Sequence, residues 1–277
     1  MAVHPAIAAD NVAVITGGAS GIGLAAGRAL AAAGMKVALL DRDGDRLAAV
    51  LAADCGAALA LETDVANREA LAAVAARIRT ELGPVSVLMN NAGIGGGGDA
   101  LSNPDGWARV LDVNLMGVLN GVQEFVPEMI AGARPGLVIN TGSKQGITQP
   151  PGDTAYNVSK AGVKALTEGL AHTLRGKVGD RVTAHLLIPG FTYTGLIAAH
   201  IPQKPAGAWD PEQVVERMFE GLARGEFYIL CQDNETTREQ DEKRMLWAVR
   251  DIIDNRPALS RWHPDYKDAF EKFMSDD

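Results

Sequence analysis

Tyr156 and Lys160 stand four residues apart in a stretch that reads as a helix, so their side chains share one face. A free phenol titrates near 10, too high for a good base at neutral pH. An ammonium about 4 Å away, at an effective dielectric near 20, supplies roughly 4 kcal/mol towards the phenolate. The pairing makes Tyr156 a candidate acid/base near neutrality. A second group lies near the N-terminus. Gly17, Gly21 and Gly23 follow the spacing G-x-x-x-G-x-G within Thr16-Gly-Gly-Ala-Ser-Gly-Ile-Gly23. Glycines there let backbone approach a pyrophosphate, and the next helix would aim free N–H groups and a positive dipole end at it. No Gly-Lys-Ser/Thr follows, which excludes a Walker loop. Asp41 comes about 20 residues past the glycines, where an acid accepts hydrogen bonds from adenosine ribose hydroxyls. Its charge would repel a 2′-phosphate, which favours NAD over NADP. Arg42 adjoins it, however, and a guanidinium could hold that phosphate. Asp64 could accept from an adenine amino group, or cap the helix that starts at Arg68.

These residues need elements to position them. Short apolar, β-branched runs predict strands at Val12–Thr16, Lys36–Leu40, Ala57–Glu62, Val85–Met89, Leu137–Thr141, Val182–Ile188 and Glu226–Leu230. Between them, helices are predicted over Ile22–Ala33, Asp45–Ala53, Arg68–Leu82, Trp107–Ala131, Thr154–Arg175 and Pro211–Ala223. About seven alternations demand an α/β fold, a doubly wound parallel sheet with helices on both faces. Ligands of such sheets bind at the carboxyl ends of the strands. Thr16-Gly17, Asp41, Asp64, Asn90–Gly93, Ser143 and Pro189-Gly190 all fall just after predicted strands.

Taken together, Thr16–Gly23, Asn90-Asn-Ala-Gly93, Asn114, Ser143, Tyr156-x-x-x-Lys160 and Pro189-Gly190 with Thr194 resemble the short-chain dehydrogenase/reductase family, in its compact single-domain branch. The Tyr-x-x-x-Lys pair alone is common by chance. A serine thirteen residues upstream makes it specific. The resemblance covers residues 10–231 and implies a Rossmann-like, NAD-dependent oxidoreductase that interconverts a secondary alcohol and a ketone. Tyr156 would then be the general acid/base on the substrate oxygen. Lys160 would lower its pKa and bind the nicotinamide ribose. Ser143 would hydrogen-bond the substrate, and Asn114, inside the long helix, would hold a water of the proton relay. Ser20, Ile22 and Val65 would join Asn91, Ala92 and Gly93 in lining the cofactor, and Pro189, Gly190, Thr192 and Thr194 would meet its carboxamide. The alternatives are an NADPH-dependent ketone reductase of the same fold and a non-catalytic dinucleotide-binding sensor. A sensor has no need of Asn114, Ser143, Tyr156 and Lys160 together.

Composition narrows the remaining classes. The 277 residues carry 26 basic and 34 acidic side chains, a net charge of −8, and are 47% hydrophobic. An acidic chain without a basic run is a poor partner for nucleic acid or an anionic membrane. No apolar run suits a spanning helix, and Met1–Asp10 does not read as a signal peptide. Cys55 and Cys231 are expected to be free buried thiols of a reducing, cytoplasmic compartment. His4, His172, His185, His200 and His263 lie at no metal-ligand spacing, so no metal site is expected. No G-x-S-x-G elbow occurs.

The substrate side is read from loops. Gly95–Gly98 leaves room, Gln145, Ile147, Thr148 and Gln149 follow Ser143, and Phe191 and Tyr193 follow Gly190. Of these, Gln145, Ile147, Phe191 and Tyr193 are the predicted substrate contacts. The loops hold no Arg, which favours an uncharged ketone or secondary alcohol. Leu196–Trp209, interrupted by Pro202, Pro205 and Gly207, reads as a mobile lid. One domain, 1–277, is expected, with a helical extension over 232–277. In it Met245, Val249, Ile252 and Ile253 form an apolar face, and Trp262, Tyr266, Phe270 and Phe273 one helical stripe. The resemblance implies a homodimer or homotetramer acting on a small molecule.

Overall fold

The computed structural model describes residues 3–53, 55–198 and 201–276. Its strands are β1 (Val12–Thr16), β2 (Lys36–Asp41), β3 (Leu59–Glu62), β4 (Val85–Asn90), β5 (Gly136–Thr141), β6 (Val182–Ile188) and β7 (Tyr228–Leu230). They form one parallel sheet in the order β3-β2-β1-β4-β5-β6-β7. Every residue of β1, β4 and β5 is buried, which is why these strands are apolar runs rather than alternating ones. Alternate residues still serve different faces. Ala13 and Ile15 of β1 join Leu39, Met89 and Ile139 on one face, and Val12 and Val14 join Leu40, Leu88 and Val138 on the other.

The helices are α1 (Gly21–Ala32), α2 (Gly44–Ala52), α3 (Arg68–Glu81), α4 (Pro104–Leu111), α5 (Gly117–Ala131), α6 (Gln145–Thr148), α7 (Thr154–Val178), α8 (Gly195–Ala198), α9 (Pro211–Ala223), α10 (Arg238–Ile253) and α11 (Lys267–Ser275). α1 and α9 cover the first face, through Ala26, Leu30, Val214 and Met218. α3, α5 and α7 cover the second, through Leu71, Ile78, Phe125 and Leu174. The order in which strands are added switches from one side of β1 to the other at β4, and the crevice that opens there is the ligand position of doubly wound sheets.

Three expectations are corrected. The single helix predicted over Trp107–Ala131 is α4 and α5 joined by a π-helical turn, Asp112–Met116, in which the amide of Gly117 bonds the carbonyl of Asp112. A π turn inserts one residue without changing the apolar pattern on either side. The aromatic stripe of the extension is not one helix. Two 3-10 turns, Ser260–Trp262 and Pro264–Tyr266, precede α11, and Pro264 opens the second of them. Phe270 and Phe273 pack on Trp247 of α10, with ring centroids at 5.3 and 5.2 Å, but Trp262 stays exposed with Arg261 over its ring. Met245 does reach the core, whereas Val249, Ile252 and Ile253 face outward.

The third correction concerns the lid. Residues 199 and 200, with His200, lie outside the described residues. The stretch after them is tied down. Tyr193 Oη donates to the carbonyls of Ile201 (3.2 Å) and Pro202 (2.7 Å). Trp209 exchanges backbone bonds with Phe191 (2.9 Å) and Tyr193 (2.8 Å). Asn234 Nδ2 donates to Ala206 and Ala208. Residues 201–209 are held from both ends of the segment, which runs against the reading of a mobile lid.

Candidate active site

A cleft of about 760 Å³ lies at the carboxyl ends of the strands. One half is built from β1, β2 and β4. Gly17 takes φ +67°, and a side chain on Gly23 would meet the Gly17 carbonyl at 2.2 Å, so the turn is closed in a way only glycine permits. Ser20 is the N-cap of α1 but makes no side-chain cap bond. The first turn of α1 therefore presents its amides beside Ser20, Gly21 and Ile22 at the cleft wall. Gly23 packs behind the turn and does not line the cleft. Asp41 closes β2. Its Oδ2 accepts from the Ala19 amide at 3.0 Å and its Oδ1 from Asp43 at 3.1 Å, which couples it to the glycine turn. Arg42 lines the same rim, and so does Arg46, which sequence reasoning did not single out. Asp64 and Val65 line the cleft too. Asp64 is not the cap of α3. Asn67 is, its side chain accepting from Ala70 at 3.0 Å.

Asn91, Ala92 and Gly93 cross the floor. Thr16 Oγ1 accepts the amides of Asn91 (2.9 Å) and Ala92 (3.1 Å), and Thr141 Oγ1 donates to Asn91 Oδ1 at 3.2 Å. The ends of β1, β4 and β5 are thus locked together. Asn90 points the other way, into a buried chain in which its Nδ2 donates to Asn140 Oδ1 at 2.8 Å. It is structural.

The other half carries the acid/base candidates. α7 begins at Asp153, which caps the Tyr156 amide at 3.1 Å. Tyr156 and Lys160 face the cleft, with Lys160 Nζ 5.7 Å from the phenol ring centroid. Ser143 faces it from the loop after β5. Lys160 is buried, and its Nζ donates to the Thr141 carbonyl at 2.8 Å. Burial lowers its pKa to about 8, so the ammonium persists at neutral pH. The structure changes one expectation here. In the protein alone Tyr156 is raised, not lowered. Burial of the phenol dominates, hydrogen bonding from Ser143 opposes it, and Asp153 adds to the rise. Lys160 gives one of its three N–H donors to Thr141.

Asn114 is anchored through its side chain. It sits in the π turn, fully buried. Its Oδ1 accepts from the Ile94 amide at 2.8 Å, and its Nδ2 donates to the Ile94 carbonyl and to Ser159 Oγ. The side chain positions Ile94 and α7 through these three bonds, and one lone pair of Oδ1 remains open.

Pro189, Gly190, Thr192 and Thr194 line the cleft after β6, with Thr194 lying over Gly21. Of the substrate candidates, Gln145 and Phe191 face the cleft. Ile147 instead packs on the cluster of Val118, Val163 and Leu186, and Tyr193 points its hydroxyl at Ile201 and Pro202. Besides Arg46, sequence reasoning missed two residues of this half. Asp153 accepts from the amides of Gly96 (2.7 Å), Gly97 (3.3 Å) and Gly98 (3.1 Å) as well as capping α7. An Asp directly before a helical run signals a cap, but nothing in the sequence announces the loop it also grips. The other is Lys144.

The family model described as short chain dehydrogenase matches residues 11–205, which contain the glycine turn, Ser143, Tyr156 and Lys160. The chain belongs to the short-chain dehydrogenase family. A relative of this dehydrogenase is 2-dehydro-3-deoxy-L-rhamnonate dehydrogenase (NAD(+)) of Sphingomonas sp. (strain SKA58), 36% identical over 73% of this chain and 80% of the relative. A crystal structure of a short-chain dehydrogenase/reductase from Burkholderia phymatum in complex with NAD is similar at a TM-score of 0.80 and 33% identity, covering 90% of this chain and 96% of that one. A metagenomic short-chain oxidoreductase in complex with NADP is similar at a TM-score of 0.63 and 31% identity, over 78% and 92% of the two chains. The protein is an oxidoreductase of this family. Among the described residues no helix is long and apolar enough to cross a membrane.

Proposed function

We propose that this dehydrogenase interconverts an uncharged secondary alcohol and its ketone with NAD. The observation that carries the reading is the meeting of Ser143, Tyr156 and Lys160 in one cleft with the glycine turn and Asp41. NAD fits the residues present. The open amides of α1 suit its pyrophosphate, the Asp41 carboxylate its adenosine ribose, and the amide N–H groups around Gly93 and Thr194 its nicotinamide end. When bound it supplies the hydride acceptor or donor.

The chain's own residues do the rest. Ser143 Oγ orients the substrate oxygen by a hydrogen bond. Tyr156 Oη takes the hydroxyl proton in oxidation and returns one in reduction. Lys160 keeps two N–H donors beyond the one given to Thr141, enough to hold ribose hydroxyls and face the phenol with positive charge. Burial alone leaves Tyr156 too weak an acid, so the phenolate depends on positive charge brought to its side when the cofactor is in place. On the substrate side Gly95, Gly96 and Phe191 line the cleft, and the charges of Lys144 and Asp153 are already partnered, which supports a neutral substrate. Free buried Cys55 and Cys231 support a cytoplasmic protein. The unit proposed is a single domain, 1–277, assembled as a homodimer or homotetramer on the family's usual pattern.

Tyr156→Phe tests the reading. Oxidation of a panel of secondary alcohols, followed at 340 nm, should fall at least about a hundredfold. Binding of NAD, read by thermal shift, should stay unchanged. Turnover within tenfold of wild type would overturn the assignment of Tyr156.

A further inference from the structure

Lys144 follows Ser143 directly, yet its ammonium turns away from the cleft centre. Its side chain is 18% exposed and lies 2.6 Å from Asp241 Oδ2 and 3.2 Å from Asp233 Oδ2, carboxylates that are themselves 6% and 10% exposed. Both acids belong to the segment after β7. Asp233 opens the turn that leads to α10, accepting with Oδ1 from the Thr236 amide at 2.8 Å. Asp241 is on the first turn of α10, which lies against α6. The route of the lysine is as informative as its ends. A side chain at Gly190 would meet Lys144 Nζ and the Gln232 carbonyl at 2.9 Å each, so the lysine passes directly over Gly190. The amide of Phe191 reaches Asp233 Oδ2 at 3.5 Å. The loop after β5, the loop after β6 and the extension therefore converge on one ammonium.

We propose that Lys144, Asp233 and Asp241 form a positioning strut through which the C-terminal extension sets the substrate-facing loops that carry Ser143 and Phe191. A bare surface pair would contribute almost nothing to geometry, since exposed ion pairs are weak and adaptable. This one is screened from water, and removal of one partner leaves a buried charge without compensation. The arrangement has a direction. It reaches Ser143 and Phe191, on the substrate side, and touches neither the glycine turn nor Asp41. The extension is therefore part of the substrate half of the site. The kinetic consequence rests on the proposed alcohol dehydrogenase activity, but the positional one does not.

The full-length enzyme is compared with Lys144→Met, Asp241→Asn and Asp241→Glu. Hydrogen–deuterium exchange is read on peptides spanning 142–149, 189–195 and, as a control, 15–24. Exchange should quicken in the first two segments and stay unchanged in the third for Lys144→Met and Asp241→Asn, with Asp241→Glu restoring the wild-type pattern. Turnover of 1-phenylethanol with NAD is measured alongside. Its KM should rise about tenfold while the KM for NAD stays within twofold, since small misplacements of a positioning group weigh heavily on the step it serves. Unchanged exchange in 142–149, or equal changes in all three segments, would overturn the strut. Should the wild type oxidise no alcohol at all, the functional reading falls and the exchange pattern still decides the strut. A purely global loss of stability would lower Tm without the split between the two KM values, and that result also overturns it.

Discussion

The carboxylate of Asp153 accepts the amide of Gly96 at 2.7 Å, while its other oxygen accepts the amide of Tyr156 at 3.1 Å. One side chain thus starts the helix of the acid/base candidate and fixes the glycine loop that faces it. Asp153→Ala should remove both functions, lowering stability by about 1 kcal/mol from the lost cap alone. Asp153→Asn separates them, because an asparagine still caps a helix but turns an NH₂ group towards amides that need an acceptor. The expected result for Asp153→Asn is a raised alcohol KM at nearly native Tm. Its charge also holds Tyr156 up, so the limb of the pH–rate profile assigned to Tyr156 should move to lower pH. Equal kinetics in wild type and Asp153→Asn would show that the loop is held without this clamp.

NAD should bind more tightly than NADP, since Asp41 puts a carboxylate at the end of β2 on the cleft rim. Asp41→Ser should narrow or reverse the preference, with Arg42 and Arg46 on the same rim free to meet a phosphate. Both cofactors should bind somewhat more weakly in that variant, because Asp41 also anchors the glycine turn through Ala19. Titration with the two cofactors side by side checks this. Preference of the wild type for NADP would transfer control to the arginines.

Acid should loosen the N-terminal segment. His4 Nε2 meets Thr183 Oγ1 at 3.1 Å, and His185 Nε2 meets the same hydroxyl at 3.0 Å. Burial, with His185 adding to it, lowers His4 to about 4, and burial lowers His185 as well. Both imidazoles are neutral in the fold but charge near 6.5 once unfolded. Their contribution is therefore complete above about 6.5 and is lost as pH falls from there towards 4. Tm measured from pH 7.5 to 4.5 should decline, and His4→Ala should decline less steeply from a lower start. Parallel slopes for the two proteins would rule His4 out as a source.

Truncation after Asn255 should destabilise the protein. Trp247 is buried under Phe270, Phe273 and the Arg256 guanidinium, which lies 4.1 Å from its ring, and its Nε1 donates to Ser260 Oγ at 2.8 Å. All four partners are removed by the truncation. Exposing that indole to water costs on the order of 2–3 kcal/mol. Intrinsic fluorescence should shift to the red and Tm should fall. Because α10 and Asp241 remain, the alcohol KM should rise less than in Asp241→Asn. Native fluorescence and Tm would show that α10 shields Trp247 unaided.

The parallel sheet, its approximate strand ends and the glycine turn were legible in the sequence because each rests on local pattern. Apolar runs mark buried strands, and ligand-facing residues follow them in order. Ser143, Tyr156 and Lys160 were legible for the same reason, as fixed spacings after β5 and along one helix. What escaped depends on contacts across long separations. The π turn leaves the apolar periodicity of its flanks intact, so Asn114 read as part of one helix. Ile147 and Tyr193 follow the right loops, but a one-position rotation decides whether a side chain meets substrate or core. The grip of Asp153 on residues 55 to 57 positions earlier has no local trace. Nor did the aromatic spacing at 262–273 reveal that Pro264 would divide it.

The pairing of Lys144 with Asp241 also sets an order in time. The lysine leaves the ribosome 97 residues before its partner, 241 − 144, an interval of roughly 5–20 s at about 5–20 residues per second. During that interval β1 to β5 and the glycine turn have all been synthesised, and the loop of Ser143 still lacks the carboxylates that hold it. The half of the cleft built from residues 16–93 can take shape on the nascent chain. The half that faces substrate waits for almost the whole protein to be made.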